Sequence, residues 1–378
     1  MRTKQALISV IIHEVGHNYF PMIVNSDERQ WTWMDEGINT FLQYLAEREW
    51  EEKYPSGRGK PREIIEYMAS HNQVPIMTNS ESIHQFGNNA YAKPATALNV
   101  LRETVLGREL FDFAFREYAR QWEFKRPEPA DLFRIMEDAS AVDLDWFWRG
   151  WFYTTKHVDV GIKTLRLYEI DTRNPDIEKP LKREKREETE SKDLTDERNA
   201  NLEKLVERFP NLKDFYNDFD PLDVTAKDRR EHQELLDDLE EDERKLLEVR
   251  RKFYVVDLEN VGGLVMPVIM RVTYADGESE TIRLPAEIWR KNSKAVSRMM
   301  ISKKEIATIE LDPRLESADT DRQNNYWPPK PIKSRFQLFK DKKKKNPMQE
   351  AQAELERQEA GDKEGEAGKK SNNEVDGE

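Results

Sequence analysis

The chain opens with an apolar run, Leu7-Ile-Ser-Val-Ile-Ile12, that flows into His13-Glu14-Val15-Gly16-His17. We read this run as the buried first half of a helix over residues 4–20. A second helix is predicted over 34–52, opening near Asp35, with further helices over 60–70, 90–106, 109–122 and 128–138. The stretch Asp145-Trp-Phe-Trp-Arg-Gly-Trp-Phe-Tyr153 is so apolar that it should be core or the wall of a pocket. From about Asp171 to Arg251 the pattern changes to Lys, Arg, Glu and Asp. Two amphipathic helices are predicted there, near 195–208 and 226–252, the second with Leu235, Leu239 and Leu246 along one stripe. A short isolated coiled coil stays open there, and the brevity of the seam favours a solvated linker or an insertion packed on a neighbour.

Strand signals follow. Phe253-Tyr-Val-Val256 is prone to extension, and Met266, Val268, Met270, Val272 and Tyr274 alternate with Pro267, Ile269, Arg271 and Thr273. Asp276-Gly277 marks a hairpin turn into Thr281-Ile-Arg-Leu284, and Ile306 to Leu311 adds a strand closed by Asp312-Pro313. These short strands predict a small antiparallel β-sandwich. From Trp327 onward Pro, Lys, Gln, Glu and Gly dominate, which predicts a disordered charged tail. The expected organisation is therefore a helical lobe over 1–160, a charged helical linker or insertion over 161–251, a β-sandwich over 252–326 and a tail over 327–378, a multidomain α+β chain.

Composition sharpens this division. Charged residues make up 36% and apolar residues 37% of the chain, too polar for one compact body and in keeping with folded units joined to solvated segments. A net charge of −13 argues against a nucleic-acid footprint, and the basic run Lys342–Lys345 is short and sits in the tail. With no cysteine, disulfides and thiolate metal sites are excluded. No stretch approaches the roughly 18 apolar residues of a membrane span. The start carries charge and then an apolar run, but no small-residue cleavage site separates it from His13, so it is not read as a signal peptide. The compartment stays open: exported if a longer parent carries a signal, otherwise cytoplasmic.

Candidate chemistry gathers near the start. On a helix, positions i and i+4 share a face about one turn apart, so His13 and His17 can point two imidazoles at one ion. Glu14 lies on the adjacent face, in reach of a water but angled away from direct ligation, which is the metalloprotease arrangement. Catalytic zinc takes three protein ligands and leaves a position for water. Glu36, nineteen positions after His17 in Trp31-Thr-Trp-Met-Asp-Glu-Gly37, fits the third place. Pro21 ends the first helix, the loop through Asn25-Ser26-Asp27 reverses the chain, and Asp35 can cap a second helix whose first turn returns Glu36 to the metal. Two imidazoles and two carboxylates around a dication make the site neutral overall. His71, His84, His157 and His232 have no partner at ligand spacing, and Trp31 and Trp33 read as core.

The segment resembles the active site of the aminopeptidase N and leukotriene hydrolase family of zinc metallopeptidases, the gluzincins with an eighteen-residue spacer. Trp33 to Gly37 matches the family's Trp-x-x-Glu-Gly stretch, and Tyr91-Ala-Lys-Pro94 followed by Ala-Thr-Ala-Leu-Asn-Val-Leu-Arg102 matches its Tyr-x-Lys-Gly and apolar helix. The resemblance implies one zinc per chain held by His13, His17 and Glu36, with Glu14 as general base and Tyr91 as hydrogen-bond donor to the oxyanion. It implies a zincin-like, thermolysin-like helical lobe and a peptide substrate. Pro94 departs from the family's Gly, and Gln43 stands where the family carries a Glu behind the ligands, implying a looser hold on them. The family's amino-terminal β-domain and Gly-x-Met-Glu-Asn strand, whose Glu anchors the substrate amine, lie upstream of the zinc helix and outside this sequence. Three readings stay open: an aminopeptidase-like zinc peptidase, a fragment of a longer enzyme in that case; an endopeptidase; and a catalytically impaired zinc-binding scaffold acting through its charged helices and tail.

Overall fold

The computed structural model describes residues 3–190, 193–247 and 251–331. Helix α1 (Thr3–Gly16) stops short of the expected residue 20. The chain turns into a wider helical turn, Asn18–Ile23, in which Phe20 leaves helical geometry (φ −118°, ψ 109°). The cause is Pro21: its ring drives the preceding residue to extended backbone, and it offers no N–H to the helix. Another wide turn, Trp33–Gly37, runs directly into α2 (Ile38–Trp50). Then come α3 (Ile65–Met68), a turn over Gly87–Ala92 leading into α4 (Lys93–Val100), α5 (Arg108–Trp122), α6 (Pro129–Ser140) and α7 (Asp145–Tyr153).

One apolar core joins these helices. Helix α5 buries Phe111, Ala114, Phe115 and Tyr118, a stripe at i, i+3, i+4 and i+7. Helix α6 starts from a capping box between Glu128 and Asp131 and buries Leu132, Phe133, Ile135 and Met136. The aromatic stretch of α7 is core, with Phe147, Trp148, Trp151 and Phe152 buried. Trp148 stacks on Phe133 at 4.4 Å between centroids, and Phe152 meets Trp33 edge-on at 4.7 Å. Trp33 is thus a core residue that ties the turn carrying Glu36 to the far side of the lobe. The remaining face of α7 walls a cleft of about 880 Å³ with Trp146, Arg149 and Tyr153, so the stretch is both core and pocket wall.

The β-unit holds two antiparallel sheets, β1–β2–β5 and β4–β3–β6–β7. Their strands are β1 (Val160–Tyr168), β2 (Lys252–Asn260), β3 (Val268–Tyr274), β4 (Ser279–Leu284), β5 (Ala295–Ser302), β6 (Ile306–Leu311) and β7 (Tyr326–Trp327). Inward residues of both sheets form one core: Tyr254, Val256 and Leu258 from the first, Met270, Val272, Ile309 and Leu311 from the second. This is the sandwich expected from the sequence, enlarged by three strands, β1, β5 and β7. Residues 160–168, expected at the edge of the helical lobe and the start of the linker, are instead β1, because their backbone is consumed by pairing with β2 from Val160↔Asn260 to Tyr168↔Phe253. The loop after β2 returns Leu264 and Met266 to the helical core, where Trp151 Nε1 donates to Met266 Sδ.

The charged segment between β1 and β2 forms α8 (Pro175–Thr189), α9 (Leu194–Arg198), α10 (Leu205–Arg208), α11 (Phe215–Asp218), α12 (Ala226–Asp238) and α13 (Glu241–Leu247). The helix expected over 195–208 is broken between α9 and α10, and that over 226–252 is split at Leu239 and Glu240. Leu235 and Leu239 are half-buried, too little apolar area to carry a long helix across that break. The side chain of Leu246 and residues 248–250 lie outside the described residues, as does the tail from residue 332 onward. Among the described residues no helix is long and apolar enough to cross a membrane.

Candidate metal centre

Helix α1 carries His13 and Glu14, and His17 follows at its end. The His17 N–H donates to the His13 carbonyl at 3.2 Å, which preserves the one-turn spacing. The two Nε2 atoms stand 3.1 Å apart. Glu36 Oε2 lies 3.1 Å from His13 Nε2 and 3.5 Å from His17 Nε2. One donor atom from each of the three residues falls within 4.8 Å of the others.

The backs of both imidazoles are occupied. His13 Nδ1 is 2.9 Å from Gln43 Oε1, and His17 Nδ1 is 3.1 Å from the Phe20 carbonyl oxygen. Both partners are acceptors, so each Nδ1 carries a proton, and each Nε2 is the nitrogen turned toward the Glu36 carboxylate. Metal-ligating histidines need this tautomer and this anchoring. Gln43 holds its own orientation, because its Nε2 donates to Glu47 Oε1 at 2.8 Å. Glu47 is 3% exposed and also accepts from Ser9 Oγ at 2.6 Å. The looser hold implied by Gln43 therefore has a counterweight: the amide is clamped between His13 and a buried carboxylate.

Close packing brings the second and third elements to α1. Asn39 Nδ2 donates to the His13 carbonyl at 2.8 Å, docking α2 on α1. A Cβ at Gly37 would stand 2.5 Å from Pro94 Cγ and 2.9 Å from the Ala90 carbonyl oxygen. Only glycine after Glu36 lets the turn bearing Tyr91 approach this near. Pro94 itself sits in the first turn of α4, where its missing N–H costs no helical bond.

Tyr91 Oη donates to Glu36 Oε1 at 2.5 Å, and its ring stacks on His13 at 5.9 Å. Burial, then the Glu36 carboxylate, pushes the phenol up, so it keeps its proton across the physiological range. Burial alone would raise Glu36, but hydrogen bonds from His13 and Tyr91 outweigh it and hold the carboxyl low. Burial alone would lower His13, but Glu36 overcomes it and raises the imidazole. Asp35 does not cap α2 as expected. Helical backbone is already established by Thr32 and Trp33, which leaves Asp35 inside the turn, buried, 3.0 Å from His17 Nδ1. Burial and the neighbouring Glu36 and Glu28 carboxylates push it up to about 7.

Glu14 is exposed and faces a cleft of about 330 Å³ shared with His13, His17, Glu36 and Tyr91. Every residue singled out from the sequence is thus present at one place. Two contributors escaped that reading: Glu47, which clamps Gln43 as its i+4 partner on α2, and Arg58, which lines the same cleft and which the Gly57-Arg-Gly59 pattern marks only as a turn. Among the described residues His71, His84, His157 and His232 join no ligand cluster; Glu137, Asp143 and Asp145 form one, without a histidine and largely exposed.

Residues 1–151 match the family model described as the Peptidase family M1 domain. The helical lobe is thus similar to a peptidase family M1 domain. The resemblance seen in the His13–Gly37 and Tyr91–Arg102 segments is borne out, and the matched span ends inside α7. The chain is 25% identical over 177 residues to glutamyl aminopeptidase of Sus scrofa, covering 43% of this chain and 18% of that protein. It is 29% identical over 145 residues to the Bos taurus protein of the same name, covering 36% and 15%. Aminopeptidase M1-D of Oryza sativa is 24% identical over 168 residues, covering 43% and 19%. The matched part therefore spans less than a fifth of each of these relatives. Among solved structures, Legionella pneumophila aminopeptidase A in complex with aspartic acid is similar over 82% of this chain and 26% of that one, at 12% identity and a TM-score of 0.45.

Proposed function

We propose that the M1 domain is the zincin-like catalytic part of a zinc-dependent, aminopeptidase-like metallopeptidase, with residues 1–160 as its catalytic lobe. The observation that carries this reading is the convergence of His13 Nε2, His17 Nε2 and Glu36 Oε2 with both Nδ1 atoms tied off behind them. Two imidazole nitrogens and one carboxylate oxygen are the donor set of a catalytic zinc site with a coordination place left open. Bound there, zinc supplies Lewis acidity toward a scissile carbonyl and toward water.

The chain's own residues do the rest. Glu14, exposed to the cleft and beside the ligands without joining them, accepts a proton from the attacking water and delivers it to the leaving amine. Tyr91 is held protonated, so its Oη is a directional donor for the carbonyl oxygen as negative charge develops there. Gln43 and the Phe20 carbonyl keep the two imidazoles in one tautomer.

The test uses the full chain loaded with zinc and a short peptide with a free or an acetylated amine. The expected result is hydrolysis of the free peptide, and a fall in turnover of about 100-fold or more in Glu14→Gln while zinc content is unchanged. Turnover unaffected by Glu14→Gln overturns the assignment. Bound zinc with no hydrolysis by the unaltered chain would move the reading to a zinc-binding scaffold, and equal cleavage of the acetylated peptide to an endopeptidase.

A further inference from the structure

The candidate cleft is lined by the carboxylates Glu14 and Glu36, yet it also holds a cation that none of the proposed chemistry uses. The Arg58 guanidinium carbon lies 4.5 Å above the centroid of the Tyr91 ring. One of its terminal nitrogens would stand 3.4 Å from a Cβ at Gly87, so the group fits between the Tyr91 ring and that turn. Among the described residues no hydrogen bond or ion pair joins Arg58 to a carboxylate, and Glu36 already receives Tyr91 and lies against His13.

The backbone on either side of Arg58 is fixed. Tyr54 is buried, donating from Oη to the Gln5 carbonyl at 2.6 Å, and Ser56 is buried after it. Gly59 takes φ +98°, packs under the Tyr44 ring, and accepts from Asn99 Nδ2 at 2.9 Å. A long cationic side chain between two such anchors is presented to the cleft rather than left to wander. The contact with the Tyr91 ring takes none of the guanidinium N–H groups into a hydrogen bond with a carboxylate, so they stay available. That fork matches the two oxygens of a carboxylate.

We infer that Arg58 is a specificity-determining residue that receives a carboxylate of the bound peptide. The carboxylate comes from an acidic side chain near the scissile bond or from the C-terminus of a short peptide. This rests on the metallopeptidase reading of the site.

The experiment measures binding and turnover separately. Zinc-loaded full chain carrying Glu14→Gln is titrated with Ala-Ala-Ala-amide, Ala-Ala-Ala with a free C-terminus, Asp-Ala-Ala-amide, Ala-Asp-Ala-amide and Ala-Lys-Ala-amide. kcat/KM for the same peptides is taken on the chain that retains Glu14. At least one carboxylate peptide is expected to bind about 10-fold or more tighter than Ala-Ala-Ala-amide, with Arg58→Gln erasing that ratio. Arg58→Glu should reverse it in favour of Ala-Lys-Ala-amide, a change that mere packing of Arg58 on Tyr91 would not produce. The free-terminus and Asp arms tell the two carboxylate sources apart. Carboxylate and amide peptides bound equally, or losses equal for every peptide on Arg58→Gln, would overturn the inference. Discrimination in binding with no turnover in the Glu14 chain would sink the peptidase reading and leave Arg58's role standing; turnover without discrimination would do the reverse.

Discussion

Around His13 the polar side chains are withdrawn from water and tied to named partners, whereas in α8–α13 a denser set of charges pairs at a partly to fully exposed surface. In the first region Glu47 is nearly buried and is satisfied by Gln43 and Ser9, while Gln43 in turn serves His13. In the second, Asp220 takes Arg186 at 3.0 Å and Arg183 at 3.2 Å, Lys179 meets Asp228 at 2.6 Å, and Arg229 meets Asp176 at 2.7 Å. The arginines hold Asp220 down at about 2, with the Arg186 hydrogen bond the main cause. More ion pairs do not mean more structure. Exposed pairs exchange with water and salt at little net gain, while a buried polar group without its partner costs its full desolvation. The difference predicts that single substitutions near His13 propagate and those in α8–α13 do not.

Glu36→Ala should give the largest effect. It removes one ligand and frees Tyr91, so zinc content and turnover should both collapse, which metal analysis on the purified chain reads directly; full zinc occupancy in this variant would break the assignment. Gln43→Leu comes next. It strips the acceptor from His13 Nδ1 and leaves Glu47 with Ser9 in place of two donors, so zinc affinity should fall about 10- to 100-fold by chelator competition, with the fold retained. An unchanged affinity would mean the clamp does not orient His13. Asp220→Asn is the smallest. It disconnects two arginines, yet the melting temperature should move by less than about 2 °C and peptide turnover not at all. A large shift would show that the exposed network is structural after all.

Legibility from the sequence follows the range of the interaction. His13, Glu14 and His17 sit within one helical turn, so their spacing declares the site, and the motif around Glu36 and Gly37 extends it across one loop. The role of Gly37 becomes clear only once Pro94 and Ala90 stand against it. Arg58 reaches the cleft because Tyr54 and Gly59 pin a loop to α1 and α4 through Gln5 and Asn99, contacts that no local pattern announces. The sandwich is legible in β2, β3, β4 and β6, with Asp276-Gly277 joining β3 to β4. Strand β1 was missed because its partner β2 lies beyond the whole charged segment, and β5 because most of its residues face solvent.

That distant pairing has a consequence for how this molecule can vary. Tyr168 and Phe253 face each other across the sheet, so everything between them leaves and re-enters at one doorstep. Topologically α8–α13 are an overgrown hairpin tip. Doubling the length of such a tip adds only about 0.6 kcal/mol of closure entropy. A lineage can lengthen, trim or graft this appendage while strand order stays intact and the imidazoles at the opposite end of the chain never register the change.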